Sequence, residues 1–453
     1  MRRLVAAAVG LGLLLGGYAR GYPIAEERKL GERFSIEAAG ELPLLREPAV
    51  VDYVNRLGQR IVSHLEAPQP FPYRFSIVLD ARLNAFAVPG GFVYVHSGLL
   101  LRVGNEAELA GVLGHEIGHT HAHHIVRQQE KSRLLNYAAI AGLLLSVVQP
   151  AIGAAAMGAN ATAQLKYRRE FEQEADYLGV RYMREAGFDP HGMLTFLKRM
   201  WDEQRTAPSD QVPPYMLSHP MTDERINHLE AATKSLPARP GWDEPSFALE
   251  RVQAIVRALT GDRAAVRESY ARRGAAGGPG LALHGISLLY QGDARSALAV
   301  LDRARRQGVT DLEDDVGLAS LRTGDLDRAA RVLSERVESA PDDAVAHATL
   351  GRVRLAQGDY AAARRELERA AALAPALDDV EYDLGQACGR GGDAGLGLYH
   401  LARALEMRGS VEQARAQYDK ASRLLEAGSA EASDAKERAD ALEEISSARV
   451  IGR

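Results

Sequence analysis

A glycine-aspartate pair recurs through the C-terminal half of the chain at a nearly constant interval. The pairs begin at Gly292, Gly324, Gly358 and Gly392, which are 32, 34 and 34 residues apart. A second glycine precedes each pair by seven residues, at Gly285, Gly317, Gly351 and Gly385. A period of this length is typical of a unit of two short helices, which buries its apolar face only by stacking on its neighbours. The pattern therefore predicts an all-α solenoid over residues 251–445, in which small residues let paired helices approach closely and Gly-Asp forms their turn.

The clearest unit, residues 344–377, resembles the tetratricopeptide repeat. Ala363, Leu367 and Ala370 lie in its second half, and Pro375 follows them. A further turn at Gly409 comes only 17 residues after the turn at Gly392, so the array is irregular there. The resemblance implies a concave face that binds peptides or partner proteins. A plain helical bundle is the alternative interpretation of this region.

The N-terminus is typical of an exported protein. Arg2 and Arg3 precede an uninterrupted apolar run over residues 4–17, and Ala19 follows it. This pattern predicts a secretory signal peptide over residues 1–19, cleaved near Ala19, and a periplasmic location. An uncleaved membrane anchor is the alternative. The chain has one cysteine, Cys388, which excludes a disulfide framework and a cysteine-based metal cage.

Two further segments bear on the organisation of the chain. The proline-rich stretch at 235–245 indicates a boundary, which predicts a catalytic domain over residues 22–235 and a linker over residues 236–250. Residues 138–158 are almost uncharged and are interrupted by Pro150. We expect two short helices there that cover the catalytic domain or touch the membrane surface, with a membrane span or hairpin as the alternative.

The charge balance argues against a nucleic-acid partner. Acidic residues number 60 and basic residues 55, and no basic run is interleaved with aromatic residues. Because the chain has only one cysteine, any metal site must be sought among His, Asp and Glu side chains.

A capped helix is predicted to begin after Asn105. Asn105 is a favourable N-cap, and Glu108 follows three residues later, as in a capping box. Apolar residues recur along one face at Leu109, Val112, Leu113 and Ile117.

This helix carries a histidine-rich stretch, residues 114–124, with five of the chain's 13 histidines. His115 and His119 are four residues apart, so both imidazoles project from one face and can reach one Zn²⁺ at about 2.0–2.1 Å. Glu116 lies one residue on, rotated by about 100°, where it can take a proton from an activated water. This is the H-E-x-x-H arrangement of zinc peptidases, and it predicts one zinc ion per chain.

A catalytic zinc site needs a third protein ligand and an open fourth position. The downstream helix predicted around residues 167–179 offers Glu172 and Asp176, which share a face. One can bind the metal while the other accepts the free ring N–H of a ligating histidine. The spacing leaves the two residues interchangeable, and a solvated acidic face is the alternative.

Four segments, taken in order, resemble the HtpX-like and CAAX-protease-like metallopeptidase family. They are Asn84–Leu100, Glu108–His119, Glu172–Asp176 and His219–Ile226. In its layout, with repeats after these segments, the chain resembles the periplasmic BepA-like branch of the family. The resemblance implies an α+β zincin-like domain of the gluzincin type, mostly helical with a small sheet, followed by the tetratricopeptide-repeat solenoid.

The resemblance also implies roles for single residues. It assigns Glu172 as the third metal ligand and places Asp176 behind a ligating histidine. It places His219 and Arg225 close to the metal, with His219 either beside the oxyanion or on the zinc as a fourth ligand. Val93, Tyr94 and Val95 are expected to form an edge strand that pairs with the substrate main chain, after a turn at 89–91. An ordinary hairpin strand is the alternative.

The remaining histidines of the stretch are not expected to bind the catalytic metal. His121 points across the helix, and His123 lies a further turn from the metal. His124 is expected to pack or to contact a ligand. Many members of the family have arginine where this chain has His123, which leaves the charge contact of that arginine in doubt.

The sequence thus favours a secreted zinc endopeptidase that cuts unfolded or misassembled envelope proteins. Its repeats would dock substrates or a partner such as the outer-membrane assembly machinery. A chaperone or adaptor with a latent zinc site is the main alternative. An intramembrane protease, based on residues 138–158, is the third.

Overall fold

The computed structural model describes residues 24–66, 71–127, 161–206 and 213–451. The predicted signal peptide and the uncharged segment 138–158 lie outside these residues. Among the described helices, none is long and apolar enough to cross a membrane.

The chain divides into two units. The first contains residues up to Leu45, residues Val54–Pro245 and the chain end from Glu444; the second contains Arg46–Tyr53 and Ser246–Glu443. The division after Pro245 falls inside the stretch 236–250 that the sequence predicts as a linker.

A mixed sheet of four strands lies in the first unit. Its strands are β1 (Leu44–Leu45), β2 (Arg74–Val78), β3 (Ala85–Val88) and β4 (Phe92–His96), in the spatial order β1-β2-β4-β3. Strand β4 pairs in parallel with β2 and antiparallel with β3, whereas β1 pairs antiparallel with β2.

The prediction of an edge strand at Val93, Tyr94 and Val95 is wrong. These residues form β4, as the alternation predicts, but β4 has a hydrogen-bonded neighbour on both sides. All five residues of β4 are buried, as is usual for a strand inside a sheet. The edge next to β4 belongs to β3, whose four residues are buried as well and whose outer side pairs with no strand among the described residues.

The predicted turn before β4 is confirmed. Gly90 and Gly91 have φ angles of 82° and 88°, in the left-handed region where a side chain would be strained. With Pro89 they form a three-residue loop between the paired residues Val88 and Phe92, and such loops use a residue in this conformation.

The N-terminal part of the chain also contains a set of helices. They are α1 (Ile24–Glu41), α2 (Pro48–Val62), α3 (Ser97–Arg102), α4 (Glu106–His121), α5 (Ala161–Glu185), α6 (His191–Thr206), α7 (Pro214–Ser218) and α8 (Asp223–Thr233). Helix α1 packs on the sheet through Leu30 and Phe34, which contact a cluster around Phe86 and Tyr94. The rings of Phe86 and Tyr94 are stacked with centroids 5.0 Å apart. Tyr94 therefore belongs to the core of this unit.

The N-terminal cap of α4 is confirmed in part. The Asn105 side chain accepts a hydrogen bond from the Glu108 amide at 2.9 Å. The Glu108 carboxylate accepts instead from the Gly104 amide at 2.7 Å and from Arg199 of α6 at 2.6 Å. The cap thus fixes α4 at its start and ties it to α6.

The second part of the chain is a series of helices. They are α9 (Phe247–Thr260), α10 (Arg263–Gly274), α11 (Gly278–Tyr290), α12 (Ala294–Arg306), α13 (Glu313–Thr323), α14 (Leu326–Ser339), α15 (Ala344–Gln357), α16 (Tyr360–Leu373), α17 (Asp378–Arg390), α18 (Ala394–Met407), α19 (Val411–Leu424) and α20 (Ala430–Ile451). From α11 to α18 each helix contacts the next, and α11, α13, α15 and α17 also contact one another in sequence. This is the stacking expected of a solenoid.

The recurring glycine-aspartate pair forms the turns of this solenoid. Gly358 has a φ of 80° at the end of α15, and the Asp359 side chain accepts from the Ala362 amide at the start of α16. The same cap occurs at Asp293, Asp325 and Asp393. The glycine in front of each pair also has a structural reason. A methyl group on Gly351 would lie 2.6 Å from Leu367 of the paired helix.

Candidate metal centre

Four side chains from three parts of the first unit converge on one point. His115 and His119 extend from α4, Glu172 from α5, and His219 follows α7 directly. One ligand atom from each of the four lies within 4.8 Å of the others. The sequence separates these residues by up to 104 positions, so the fold alone brings them together.

The spacing of the four atoms fits a zinc ion. His115 Nε2 is 3.0 Å from His119 Nε2, 3.3 Å from Glu172 Oε2 and 3.1 Å from His219 Nδ1. A tetrahedral ion with bonds of 2.0–2.1 Å places its ligand atoms about 3.3 Å apart. The nitrogen and oxygen donors are also those that zinc uses in catalytic sites. The residues present therefore fit the metal that the motif predicts.

The structure separates the two acidic residues that the spacing left interchangeable. Glu172 Oε1 lies 3.4 Å from His119 Nε2, inside the cluster. Asp176 lies behind it, with Oδ1 at 2.9 Å from His115 Nδ1. A carboxylate at this distance from the ring nitrogen that faces away from the metal position favours a proton on that nitrogen, and so the tautomer whose Nε2 is free to bind metal.

Arg225 of α8 neutralises both carboxylates. Its Nε and Nη2 each donate to Asp176 at 2.8 Å, and its Nη1 lies 2.9 Å from Glu172 Oε2. All three side chains are buried. An unpaired charge in this position would be expensive, so the three residues depend on one another.

The electrostatics of the cluster follow from burial and these contacts. Burial alone would raise the pKa of Glu172 and of Asp176, but the neighbouring cationic groups, Arg225 among them, outweigh it and lower both. Burial alone would lower the pKa of His115, but the contacts with Asp176 and Glu172 raise it to about 9. For His119, burial dominates and lowers the pKa to about 4. Both carboxyl groups are therefore ionised at neutral pH.

Glu116 lies beside the four clustered donors. Its side chain is buried, and its Oε1 makes no hydrogen bond within the described part of the chain. The same oxygen lies 3.4 Å from His219 Nε2. A buried carboxylate oxygen without a donor requires a polar partner such as a water molecule. Its place beside the cluster is where a general base for water would act.

Three glycines bring α4 and α5 into backbone contact. A methyl group on Gly118 would lie 3.0 Å from the Ala175 carbonyl oxygen, and one on Gly114 would lie 3.3 Å from the Gly179 carbonyl oxygen. A methyl group on Gly179 would lie 3.1 Å from the Gly114 carbonyl carbon. We call Gly114, Gly118 and Gly179 the glycine seam. The seam allows side chains of α5 to reach the histidines of α4.

Two of the remaining histidines of the stretch, His121 and His123, point away from the metal position, as predicted. His121 lies against the ring of Tyr182 at 5.6 Å. His123 has a φ of 53°, and its Nδ1 lies 2.7 Å from Glu27 Oε2 of α1. The family arginine at this position is thus replaced by a histidine that contacts a carboxylate.

His124 has a more specific contact than the sequence indicates. Its Nδ1 lies 2.8 Å from Nδ1 of His119, and its Nε2 lies 3.2 Å from Glu174 Oε2. Sequence reasoning assigned no role to Glu174. The only available signal was the position of Glu174 two residues after Glu172, and this spacing does not point to His124.

Comparison with known proteins agrees with this geometry. Residues 48–233 match the model of peptidase family M48, and residues 283–344 and 317–379 match a tetratricopeptide-repeat model. Residues 48–233 therefore form a domain like that of peptidase family M48, and tetratricopeptide repeats follow it, which confirms the predicted fold class.

The chain is also similar in sequence to individual curated proteins. It is 32% identical to the putative beta-barrel assembly-enhancing protease of Vibrio cholerae, over 55% of this chain and 52% of the relative. It is 33% identical to the beta-barrel assembly-enhancing protease of Escherichia coli, over 45% of this chain and 43% of the relative. A third relative is the mitochondrial metalloendopeptidase OMA1 of Schizosaccharomyces pombe, at 30% identity over 39% of this chain and 51% of the relative. The chain thus spans about half the length of the curated relatives it matches.

Proposed function

We propose that this chain is a zinc-dependent endopeptidase. The observation that carries the proposal is the convergence of His115, His119 and Glu172 beside the Glu116 carboxylate, whose Oε1 accepts no hydrogen bond among the described residues. This is the composition of a catalytic zinc site, with three protein ligands and a separate carboxylate for proton transfer. The match to peptidase family M48 supports it.

Each residue of the site has a defined task in amide hydrolysis. Zinc bound by His115, His119 and Glu172 would polarise the substrate carbonyl and acidify a water molecule. Glu116 takes the proton of the attacking water and delivers it to the leaving amine nitrogen. Asp176 and Arg225 hold His115 and Glu172 in place, so that the ligands need not reorganise during the reaction.

His219 occupies the place of a fourth ligand in this arrangement. Its Nδ1 lies 3.1 Å from His115 Nε2 and 3.2 Å from Glu172 Oε2. A site with four protein ligands is closed, whereas catalysis needs an open position. We therefore infer that His219 leaves this position when substrate binds. Its Nε2 already faces Glu116, so the displaced imidazole remains close enough to stabilise the oxyanion.

Strand β3 is our proposed substrate platform, in place of β4. The His96 amide donates to the Asn84 carbonyl at 3.0 Å, which makes Asn84 and His96 a hydrogen-bonded pair. In an antiparallel ladder such pairs alternate, so the main-chain groups of Ala85 and Ala87 point away from β4. Within the described residues no strand pairs with that side. An extended peptide can add there through main-chain hydrogen bonds, which tolerate many side chains.

Replacing Ala87 with proline tests this platform. The substitution removes an amide that β4 does not use, and an edge strand accepts proline at such a position. We expect kcat/KM for an unfolded protein substrate to fall by about tenfold, the equivalent of one hydrogen bond of about 1.4 kcal/mol. Ala87→Ser keeps the amide and should behave like the wild type. Equal activity of the proline and serine variants would place the substrate elsewhere.

The substrate class and location follow from weaker observations and are part of the proposal. Main-chain pairing favours extended chains, so we expect unfolded or misassembled proteins as substrates. The residues 1–19 support export to the periplasm, and the names of the bacterial relatives support a connection to outer-membrane assembly. The repeats would then dock substrates or assembly machinery. Residues 138–158 offer a peripheral membrane contact.

Metal removal tests the proposal directly. A chelator should abolish cleavage of an unfolded protein, and addition of one Zn²⁺ per chain should restore it, because no other group of the site supplies a Lewis acid. The metal content of the purified protein, measured by elemental analysis, should be close to one zinc per chain. Cleavage that survives complete metal removal would refute the proposal.

A further inference from the structure

The two histidines of α4 that belong to the cluster, His115 and His119, differ in what lies behind them. His115 contacts a carboxylate directly, because Asp176 Oδ1 lies 2.9 Å from its Nδ1. His119 contacts another imidazole, because His124 Nδ1 lies 2.8 Å from its Nδ1. A metal-ligating histidine nearly always donates its second ring N–H to an acceptor, and the choice of acceptor sets its orientation and basicity.

The geometry fixes the proton positions in this contact. His119 Nε2 faces His115 and Glu172, so it must carry a lone pair when the metal is bound. The proton of neutral His119 is therefore on Nδ1, which donates to His124 Nδ1. His124 then carries its own proton on Nε2, and that N–H donates to Glu174 Oε2 at 3.2 Å. One arrangement of protons satisfies both contacts.

His124 is also fixed in position by its surroundings. Its ring is buried and stacks on Phe171 with centroids 4.4 Å apart and planes 21° from parallel. Glu174 is itself oriented by Arg127, whose Nη1 donates to Oε2 at 2.9 Å. The acceptor for His119 is thus held by an aromatic ring on one side and a carboxylate on another.

We propose that His124, supported by Glu174, is the positioning residue of His119. It fixes the tautomer and the ring plane of His119 so that Nε2 faces the metal. The Glu174 carboxylate, by accepting from His124 Nε2, makes His124 Nδ1 a stronger acceptor for the His119 N–H. The inference rests on the zinc site of the proposed function.

Three substitutions separate the hydrogen bond from packing. His124→Phe keeps an aromatic ring against Phe171 but removes the acceptor. His124→Asn gives up most of the ring but places an amide oxygen close to the position of Nδ1, so it can still accept from His119. His121→Phe is the matched control, because His121 belongs to the same histidine-rich stretch and contacts Tyr182 instead of the cluster.

Zinc affinity is measured for the full chain by competition with a chromophoric chelator at neutral pH. We expect His124→Phe to weaken zinc binding by about 10–100-fold, the usual effect of losing such a contact. His124→Asn should recover most of that loss, and His121→Phe should equal the wild type. The ligand-field spectrum of the cobalt-substituted protein should change in His124→Phe and be preserved in His124→Asn.

Two results would overturn the inference. The first is a wild-type affinity in His124→Phe, and the second is an equal loss in the phenylalanine and asparagine variants, which would indicate packing alone. If His124→Phe does not fold, Glu174→Ala carries the test, since Glu174 is partly exposed and its loss should still weaken zinc binding and alter the cobalt spectrum. A wild-type protein that binds no zinc would refute the proposed function instead, so the two failures are distinguishable.

Discussion

Replacing Glu116 with glutamine should lower kcat for an unfolded protein substrate by about 10³-fold while zinc binding is unchanged. Glu116 is buried beside the cluster and is not among the four converging donors, so its removal affects proton transfer and leaves the metal in place. Glutamine has nearly the same size but cannot accept the proton of the attacking water. Steady-state cleavage rates and zinc content of the two proteins, measured on the same preparations, give the comparison.

Glu170→Gln is the control for this experiment, because Glu170 is exposed on α5 and is not one of the four clustered donors. A Glu116→Gln protein with unchanged kcat would contradict the assignment of the general base. The same variant also tests the chaperone alternative, which the repeats make worth testing. Suppression of client aggregation that survives in Glu116→Gln would show that the chain binds clients independently of cleavage.

Replacing Arg225 with alanine should have the largest effect on stability. The substitution leaves Asp176 and Glu172 as buried carboxylates without their cation. Removal of one partner from a buried ion pair usually lowers the free energy of unfolding by about 3–5 kcal/mol. The loss should be smaller in the zinc-loaded protein, because the metal supplies positive charge beside Glu172.

Urea unfolding followed by tryptophan fluorescence measures this effect selectively. The chain has two tryptophans, Trp201 and Trp242, and both lie in the first unit, so the signal reports on that unit. Arg225→Lys is the comparison variant: it keeps the charge but not the paired donors that contact Asp176, and it should lie between the wild type and alanine. Equal stability of wild type and Arg225→Ala, with and without zinc, would show that the ion pairs contribute little.

Features set by local spacing were predictable from the sequence. The positions of His115 and His119 on one helical face, the Asn105 cap and the glycine-aspartate turns all depend on residues within a few positions of one another. In each case the chemistry of one residue type, such as the left-handed conformation of Gly358, determines the local structure.

Features that depend on the order of distant elements were not predictable in the same way. Alternation identified β4 as a strand, but a strand's own pattern does not state how many neighbours it has, and β2 was needed to place β4 inside the sheet. The different positions of Glu172, inside the cluster, and Asp176, behind it, likewise depend on how α5 is rotated against α4. His124 and Glu174 are 50 residues apart, and no spacing rule connects them.

The glycine seam limits how closely α4 and α5 approach, and these two helices carry three of the four clustered donors. Because the backbones of α4 and α5 touch at Gly118 and Gly179, the two helices cannot come closer together at these points. A zinc site tolerates deviations of only about 0.2 Å in its bond lengths, and an added methyl group at Gly118 would require a shift of similar size. In the proposed zinc enzyme, residues that never touch the ion would thus contribute to metal selectivity, since a wider seam would suit larger cations.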